Sequence, residues 1–563
     1  MSKELKTSVA KFIIPLEIVT SRENLAQYCE LLESCVKQRY DSNEFIQRCR
    51  NEGLEITAEE MHEKLYKQLS KLDGKNQNGI WARIIKNAFA PIFCGKFDIV
   101  LGNPPWINWN NLPHEYRIDA EPIWRKYNLW PTYLLGASQD FSILFVYVCC
   151  DSYLKKGGKL GFVITQSIFK SKSGSLFRKF LLPKNTPISP LRVDDLTDFQ
   201  PFEGASNRTA TIILVKGKPT SFPVPYVYWR KKTDNTPSQD DSLLEVKKKI
   251  HFINNLAVPV GKDKTSPWLT DSAEVIDVLK KVIGKSSYSA VMGIHTYGAN
   301  AVYFLDVIRK VNDSTSLVTN ITHGAKRKVP KIETSVENSL LYPLLRGRDI
   351  NRFLTMPNQK IIFPYTIDGK IIPETIMRIK YPKAYEYLKK HKSFLESRSE
   401  YRRRGGRGIW YRLYSTYDEV FAKWKVVWKE QASSLTAAVL CLSDNKIVIP
   451  DHKVMMVGVE SEEEAHYLSA LLNSSPAQVL IKGFTINTQI TTKLLDFLRI
   501  EKYSPSNELH KKLTSLGKKG YTAAFTNDKQ ALSGIEEEID FAASKIWGIT
   551  MDQIASIQKT VVK

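Results

Sequence analysis

The chemistry of this sequence is concentrated in Phe97-Asp98-Ile99-Val100-Leu101-Gly102-Asn103-Pro104-Pro105-Trp106. An apolar run of strand length ends there in an asparagine, two prolines and an aromatic. In α/β sheets the C-terminal edge of a strand is where ligands bind. Pro104 and Pro105 fix φ and carry no backbone N–H, so the carbonyls around them have few local amide partners. Asn103 adds a side-chain carbonyl and Trp106 a flat apolar face. Two acceptors beside a stacking plane suit a planar ring with an exocyclic amine, and adenine is such a ring. Its amino nitrogen is a poor nucleophile because the lone pair is delocalised into the ring. If Asn103 Oδ1 and Pro104 O each accept one amino hydrogen, the nitrogen is drawn towards tetrahedral geometry and its lone pair can point at an electrophilic methyl group. This is positioning plus charge stabilisation of an in-line transfer. It requires the base to be outside the duplex.

A second concentration lies at residues 396–430. Arg398, Arg402, Arg403, Arg404, Arg407 and Arg412 interleave there with Tyr401, Trp410, Tyr411, Tyr414, Tyr417, Trp424 and Trp428. Arginine forks suit phosphates and guanine edges, and aromatics stack on unpaired bases or pack a core. Gly405-Gly406 lets backbone approach a phosphate. The competing reading is a solvated basic loop over a tryptophan core. It is the weaker one for the arginines, whereas Trp424 and Trp428 read as core residues at helical spacing. Arg346, Arg348 and Arg352 form another candidate DNA-contacting cluster, in which Asp349 competes for the guanidinium groups. Over the whole chain, Lys plus Arg number 81 against 59 Asp plus Glu, a net charge of +22. So large a positive field points to a polyanionic partner. Asp241, Glu245 and Lys247 have the spacing of a nuclease carboxylate–lysine set, but they sit in a lysine-rich helical stretch and read as surface charge.

The elements that must position these residues are legible in outline. The 563 residues, 43% apolar and 25% charged, give three or four globular units and exclude a disordered tail, a collagen and a disulfide miniprotein. Seven cysteines without CxxC spacing and nine histidines without an HxxxH or HExxH cluster make a structural metal unexpected. The start MSKELKTSVAKF has no signal-peptide core. The most apolar run, Phe141 to Cys150, is half the length a bilayer needs. A cytoplasmic protein with no membrane association is expected. Periodicity predicts helices from Arg22 to about Ala90, with a turn at Asp73–Asn78. A buried strand follows at Phe97–Leu101, then a helix at 140–154, a turn at Gly157-Gly158 and a strand at 160–165. A helix at 173–182 and strands at 191–196 and 209–215 complete the alternation of a doubly wound α/β sheet. Pro219, Pro223, Pro225 and the polar run Lys231 to Ser242 mark a boundary. The expected organisation is a helical region 1–95, an α/β catalytic half-domain 96–218, a mixed α+β region 219–500 and a helical C-terminus 501–563.

The Asn-Pro-Pro-Trp segment resembles motif IV of the N6-adenine DNA methyltransferases of gamma motif order, in particular the long type IIG-like restriction–modification enzymes with a fused target-recognition domain. Asp140-Phe141-Ser142-Ile143-Leu144-Phe145 and Gly157-Gly158-Lys159-Leu160-Gly161-Phe162-Val163-Ile164 resemble motifs V and VI. Pro201-Phe202-Glu203-Gly204-Ala205-Ser206 resembles motif VIII, whose aromatic stacks on the flipped adenine and falls on Phe202. Gly298-Ala299-Asn300, Tyr342 to Ile350, Ile449-Pro450-Asp451-His452 and Leu471-Leu472-Asn473-Ser474 are similar to recognition-domain segments. The resemblance covers residues 80–500. It implies a partial Rossmann-like sheet holding the acceptor half, a target-recognition domain reading double-stranded DNA, S-adenosyl-L-methionine as methyl donor, and a place in a restriction–modification or phage-defence system. The glycine-rich donor loop of this class precedes motif IV. Among the residues before Asn103 no strand–GxG–helix context and no Asp-Pro-x-x-Gly-x-Gly exists. Either a partner polypeptide supplies the donor-binding half, as in a split enzyme, or the chain is the remnant of a longer enzyme; a protein partner is the expectation. The alternatives are a non-catalytic DNA-recognition or defence subunit, and methylation of a protein glutamine amide, against which the large basic region argues.

Overall fold

The computed structural model of the chain describes residues 2–6, 11–76, 80–130, 139–202, 204–205, 207–232, 237–238, 240–485 and 489–562. Gln77 and Asn78 of the expected turn, residues 233–236 and 239 of the polar boundary, and Glu203 and Ser206 beside Phe202 lie outside them. The chain divides into two compact units. One comprises Met1–Gly102, Phe145–Gly161 and Val215–Lys218, and the other comprises Asn103–Leu144, Phe162–Leu214 and Pro219–Lys563.

The first unit opens with a hairpin of β1 (Ser2–Lys6) and β2 (Lys11–Pro15). Helices α1 (Arg22–Lys37), α2 (Ser42–Asn51), α3 (Glu59–Asp73) and α4 (Trp81–Phe89) follow. The hairpin corrects the expectation of an all-helical start. Its inward alternation rests on two residues, Phe12 and Ile14, which join the core of the helices and are too few to show as a strand period. The helices start where side chains can accept first-turn amides: Ser21 caps α1 and Asp41 caps α2. Leu25, Tyr28, Cys29, Leu32 and Cys35 form the buried stripe of α1, as their spacing predicts. A polar chain crosses this core. Tyr28 Oη lies 2.8 Å from His62 Nδ1, and His62 Nε2 lies 2.7 Å from Glu17.

The remaining elements before the boundary are β3 (Phe97–Gly102), α5 (His114–Lys126), α6 (Phe141–Ser152), β4 (Leu154–Thr165), β5 (Leu181–Leu182), β6 (Thr186–Asp195) and β7 (Thr209–Lys216). Beyond it come β8 (Val224–Lys231), β9 (Ile250–Pro259) and β10 (Trp268–Asp271). The strands form one sheet in the order β10-β9-β8-β6-β7-β4-β3, with β5 paired to β6. The expected α/β class is therefore present. β3, however, is an edge strand and not a buried one: Phe97, Ile99 and Leu101 are 44%, 64% and 76% exposed. Its residues have the composition of a covered strand, but no described strand lies on its outer side.

Two further expectations are corrected. Gly157-Gly158 is not the turn after α6 but part of β4, and a Cβ on Gly158 would meet the Asp98 carbonyl of β3 at 3.0 Å. The glycine therefore serves close backbone approach. Residues 173–182 form two short 3-10 turns, Ser173–Ser175 and Phe177–Lys179, instead of a helix. Buried Arg178 donates to the carbonyls of Thr265, Ser171 and Ile168, tying this segment to its surroundings.

The later part of the second unit holds a six-stranded sheet, in spatial order Glu333–Glu337, Thr315–Asn320, Phe304–Lys310, Gln359–Ile362, Leu341–Leu345 and Ile449–Pro450. A four-stranded sheet of Val291–Met292, Val454–Val459, Trp424–Lys429 and Ala438–Leu440 accompanies it. Trp424 and Trp428 are thus on a strand and not at helical positions. A spacing of four returns to the same face in either conformation, so the sequence could not separate them. Trp428 is core, with its indole N–H donated to the Ile490 carbonyl at 3.1 Å. Helices Glu508–Phe525, Lys529–Trp547 and Met551–Val562 end the chain.

Candidate active site and recognition surface

β3 ends at Gly102 and hands the chain to Asn103, which is exposed. Pro104 is buried, Pro105 exposed and Trp106 half-buried. Trp106 is held from two sides: its indole N–H donates to the Val163 carbonyl near the end of β4 at 3.1 Å, and its own carbonyl accepts from Asn207 Nδ2 at 3.1 Å. Phe202 packs edge-on against Trp106, with ring centroids 4.8 Å apart at 71°. The motif IV and motif VIII segments therefore meet in space although they lie far apart in the sequence. Neither Asn103 Oδ1 nor Pro104 O accepts a hydrogen bond from any described residue. Two unused acceptors and an aromatic pair thus stand together at the end of a strand.

The support of this loop was only partly visible in the sequence. The segment after Trp106 bridges to the start of α6 through Trp109 N–H to Gln139 O and Phe141 N–H to Ile107 O, at 2.8 and 2.9 Å. Asp140 accepts from Thr165 Oγ1 at 2.6 Å and from the Ser142 amide and hydroxyl. Burial raises the Asp140 carboxyl above its ordinary range, against the lowering effect of Thr165 and Ser142. Sequence reasoning misses Asn207, whose one signal is an asparagine close to the Gly204-Ala205 turn. The loop carrying Phe202 also borders a cavity of about 620 Å³, lined among others by Gln166, Lys170, Asp195, Thr197 and Lys482. Lys170 is 9% exposed, and its ammonium has no hydrogen-bond or ion-pair partner among the described residues. Burial pulls that ammonium down to about 8 against the opposing charges of Asp195 and Asp271. Lone lysines carry no sequence signal of this kind.

The arginines separate into distinct groups. Arg402 and Arg407 are exposed and have no ion-pair partner among the described residues. Arg403 and Arg404 are exposed but anchored: both donate to the buried carboxylate of Glu400, at 2.8 and 2.9 Å. Their hydrogen bonds hold that carboxyl at about 2. Arg412 is exposed and its carbonyl accepts from Arg398 at 2.9 Å. Arg398 itself corrects its inclusion in the basic face. It is fully buried, and its guanidinium binds the carbonyls of Leu395, Trp410 and Arg412. Arg346 is half-buried over Phe304, while exposed Arg348 donates to Gln359 Oε1 at 2.8 Å. Arg352 pairs with Glu536 at 2.9 Å. Asp241 and Glu245 are occupied by Lys249 and by the helix cap at Ser242, in keeping with surface charge.

The described residues before Asn103 do not fit a methyl-donor loop. Gly53 follows α2, Gly74 caps α3 and Gly95 precedes β3, so none joins a strand to a helix. Among the described residues no group of three or more His, Cys, Asp or Glu side chains could hold a metal. No helix among them is long and apolar enough to cross a membrane.

Comparison with known proteins finds the following similarities. Residues 4–201, about a third of the chain, match the family model of the Eco57I restriction-modification methylase. The type II methyltransferase M.BstVI of Geobacillus stearothermophilus is 22% identical over 397 residues, 66% of this chain and 63% of that protein. The type II restriction enzyme and methyltransferase RM.Eco57I of Escherichia coli is 25% identical over 316 residues, 52% of this chain and 28% of that protein. Among solved structures, the type IIL restriction-modification enzyme MmeI in complex with DNA aligns with a TM-score of 0.47 at 12% identity, covering 82% of this chain and 56% of that one. Residues 4–201 are thus similar to the Eco57I restriction-modification methylase family, and longer stretches of the chain are weakly similar to type II methyltransferases. The matched regions span less than two thirds of the length of each of these relatives.

Proposed function

We propose that the chain is the acceptor-side subunit of a site-specific DNA adenine-N6 methyltransferase in a prokaryotic restriction–modification or phage-defence system. The observation that carries this reading is the pair of acceptors without a partner among the described residues, Asn103 Oδ1 and Pro104 O, beside Trp106 and Phe202. An adenine extruded from the duplex places its ring against the aromatic pair and its two amino hydrogens on the two oxygens. Pro105 keeps the turn rigid, and Val163 and Asn207 fix Trp106, so the acceptors are pre-aimed and cost little reorganisation in the transition state. Arg402, Arg403, Arg404, Arg407 and Arg412, with Arg346 and Arg348, face DNA; the anchoring of Arg403 and Arg404 by Glu400 presents their remaining N–H groups in fixed directions. A cytoplasmic location accords with such a substrate.

S-adenosyl-L-methionine supplies the methyl group in such a reaction, and the described residues of this chain do not provide its loop. The bare outer side of β3, with Phe97, Ile99 and Leu101 exposed, supports a partner chain that adds a strand there and brings the donor-binding half. The absence of a donor loop among the described residues also favours a second reading, a non-catalytic DNA-recognition subunit. Purification of the full chain with its native partner, followed by methyl transfer to DNA, separates the two. Asn103→Ala is expected to lower transfer by about 100-fold or more with DNA binding nearly intact. Absence of transfer by the wild-type complex would favour the second reading.

A further inference from the structure

Beyond the acceptor loop lies a second cluster of unassigned polar side chains. Gly293, His295 and Tyr297 meet Asp451 and His452 in the later part of the second unit. Ile294 bridges to Asp451, and a Cβ on Gly293 would overlap the carbonyl oxygens of Pro450 and Asp451, so only glycine lets the two segments close. The rings of His295 and His452 then lie with centroids 4.4 Å apart at 40°, and both side chains remain partly open to solvent.

Their tautomers follow from fixed partners. The backbone N–H of Tyr297 donates to His295 Nδ1 at 2.8 Å, so that nitrogen is unprotonated and the ring hydrogen is on Nε2. Burial, and then the neighbouring His452, pulls His295 down to about 4, which keeps the ring neutral near pH 7. His452 Nδ1 lies 2.6 Å from the buried Asp451 carboxylate, which can only accept, so in the neutral ring Nε2 of His452 carries the lone pair. No described residue bonds either Nε2. With both rings neutral the pair offers one donor and one acceptor, on rings whose centroids lie 4.4 Å apart.

We propose that His295 and His452 together read the major-groove edge of an adenine in the recognition sequence, with His295 Nε2–H donating to N7 and His452 Nε2 accepting from the N6 amine. This is the donor–acceptor complement by which asparagine and glutamine read the same edge. The inference rests on the DNA-modifying reading above. The setting supports it. Tyr297 packs against Tyr414 with centroids 5.1 Å apart, Arg404 lies over Tyr414 at 5.3 Å, and Glu400 and Lys453 are among the charged neighbours of His295. The anchored arginines therefore border the histidines, as phosphate contacts border a base contact.

The test is selection of bound sequences from a random duplex library by the full chain, wild type and variants. Wild type is expected to enrich one motif. His295→Phe and His452→Phe keep the ring packing and should each relax preference at a single A·T position by about tenfold, with salt dependence unchanged. His452→Arg replaces the acceptor by a donor and should move that position from adenine towards guanine, whose edge offers two acceptors. A motif identical to wild type in all three variants, or relaxation at a G·C position, would overturn this assignment and leave the function of the chain untouched. A wild-type chain that enriches no motif would overturn both.

Discussion

At the scale of single residues, the two oxygens at Asn103 and Pro104 have no hydrogen-bond partner among the described residues. Their neighbours are heavily committed: Trp106 uses its indole N–H and its carbonyl, and Asp140 accepts three hydrogen bonds. The asparagine, the prolines and the tryptophan were legible in the sequence because their types alone define the chemistry. Arg398 was not, since a buried arginine bound to carbonyls and an exposed one facing phosphate look alike in a string of letters. Glu400 gives a residue-scale prediction. Its carboxyl, ordinarily near 4.5, is held at about 2 by Arg403 and Arg404. The folded pKa is depressed, so its contribution to stability is fully present above 4.5 and is lost as pH falls towards 2. The melting temperature of Glu400→Gln should therefore lie below wild type at pH 7, and the gap should narrow progressively as the solution is acidified through that window. A gap independent of pH would remove the charge from the explanation.

At the scale of elements, helices with a continuous buried stripe, such as α1, and strands rich in β-branched residues, such as β7, followed from periodicity. The failures have separate causes. Residues 173–182 are tied by the Arg178 side chain to Ile168, Ser171 and Thr265, Gly158 admits β3, and Trp424 and Trp428 satisfy two periods at once. β3 is the element with the largest consequence. Its sequence is that of a covered strand, and its outer side is bare among the described residues. Ile99→Lys adds a charge at its exposed centre, where such charges block strand pairing. It should abolish co-purification of the proposed partner while leaving DNA binding by the chain unchanged, as read by pull-down and by electrophoretic shift. Partner retention would place the contact elsewhere.

At the scale of the whole molecule, a net charge of +22 and the open arginines suit a polyanionic ligand. The sequence could assign this charge to a partner class because the excess of 81 basic over 59 acidic residues survives any folding. It could not say which arginines are free. Replacing Arg403 and Arg404 together by alanine should lower the slope of log K against log salt by about 0.9 for each phosphate no longer neutralised, up to about 2. An unchanged slope would place both away from the backbone. The most direct measurement is nucleoside mass spectrometry of DNA treated with the chain and its partner. The expected product is N6-methyladenine, formed by wild type, reduced about 100-fold or more by Asn103→Ala, and largely kept by Asn103→Asp, which retains an acceptor oxygen. A methylated cytosine, or undiminished N6-methyladenine from Asn103→Ala, would contradict the proposed role of that oxygen.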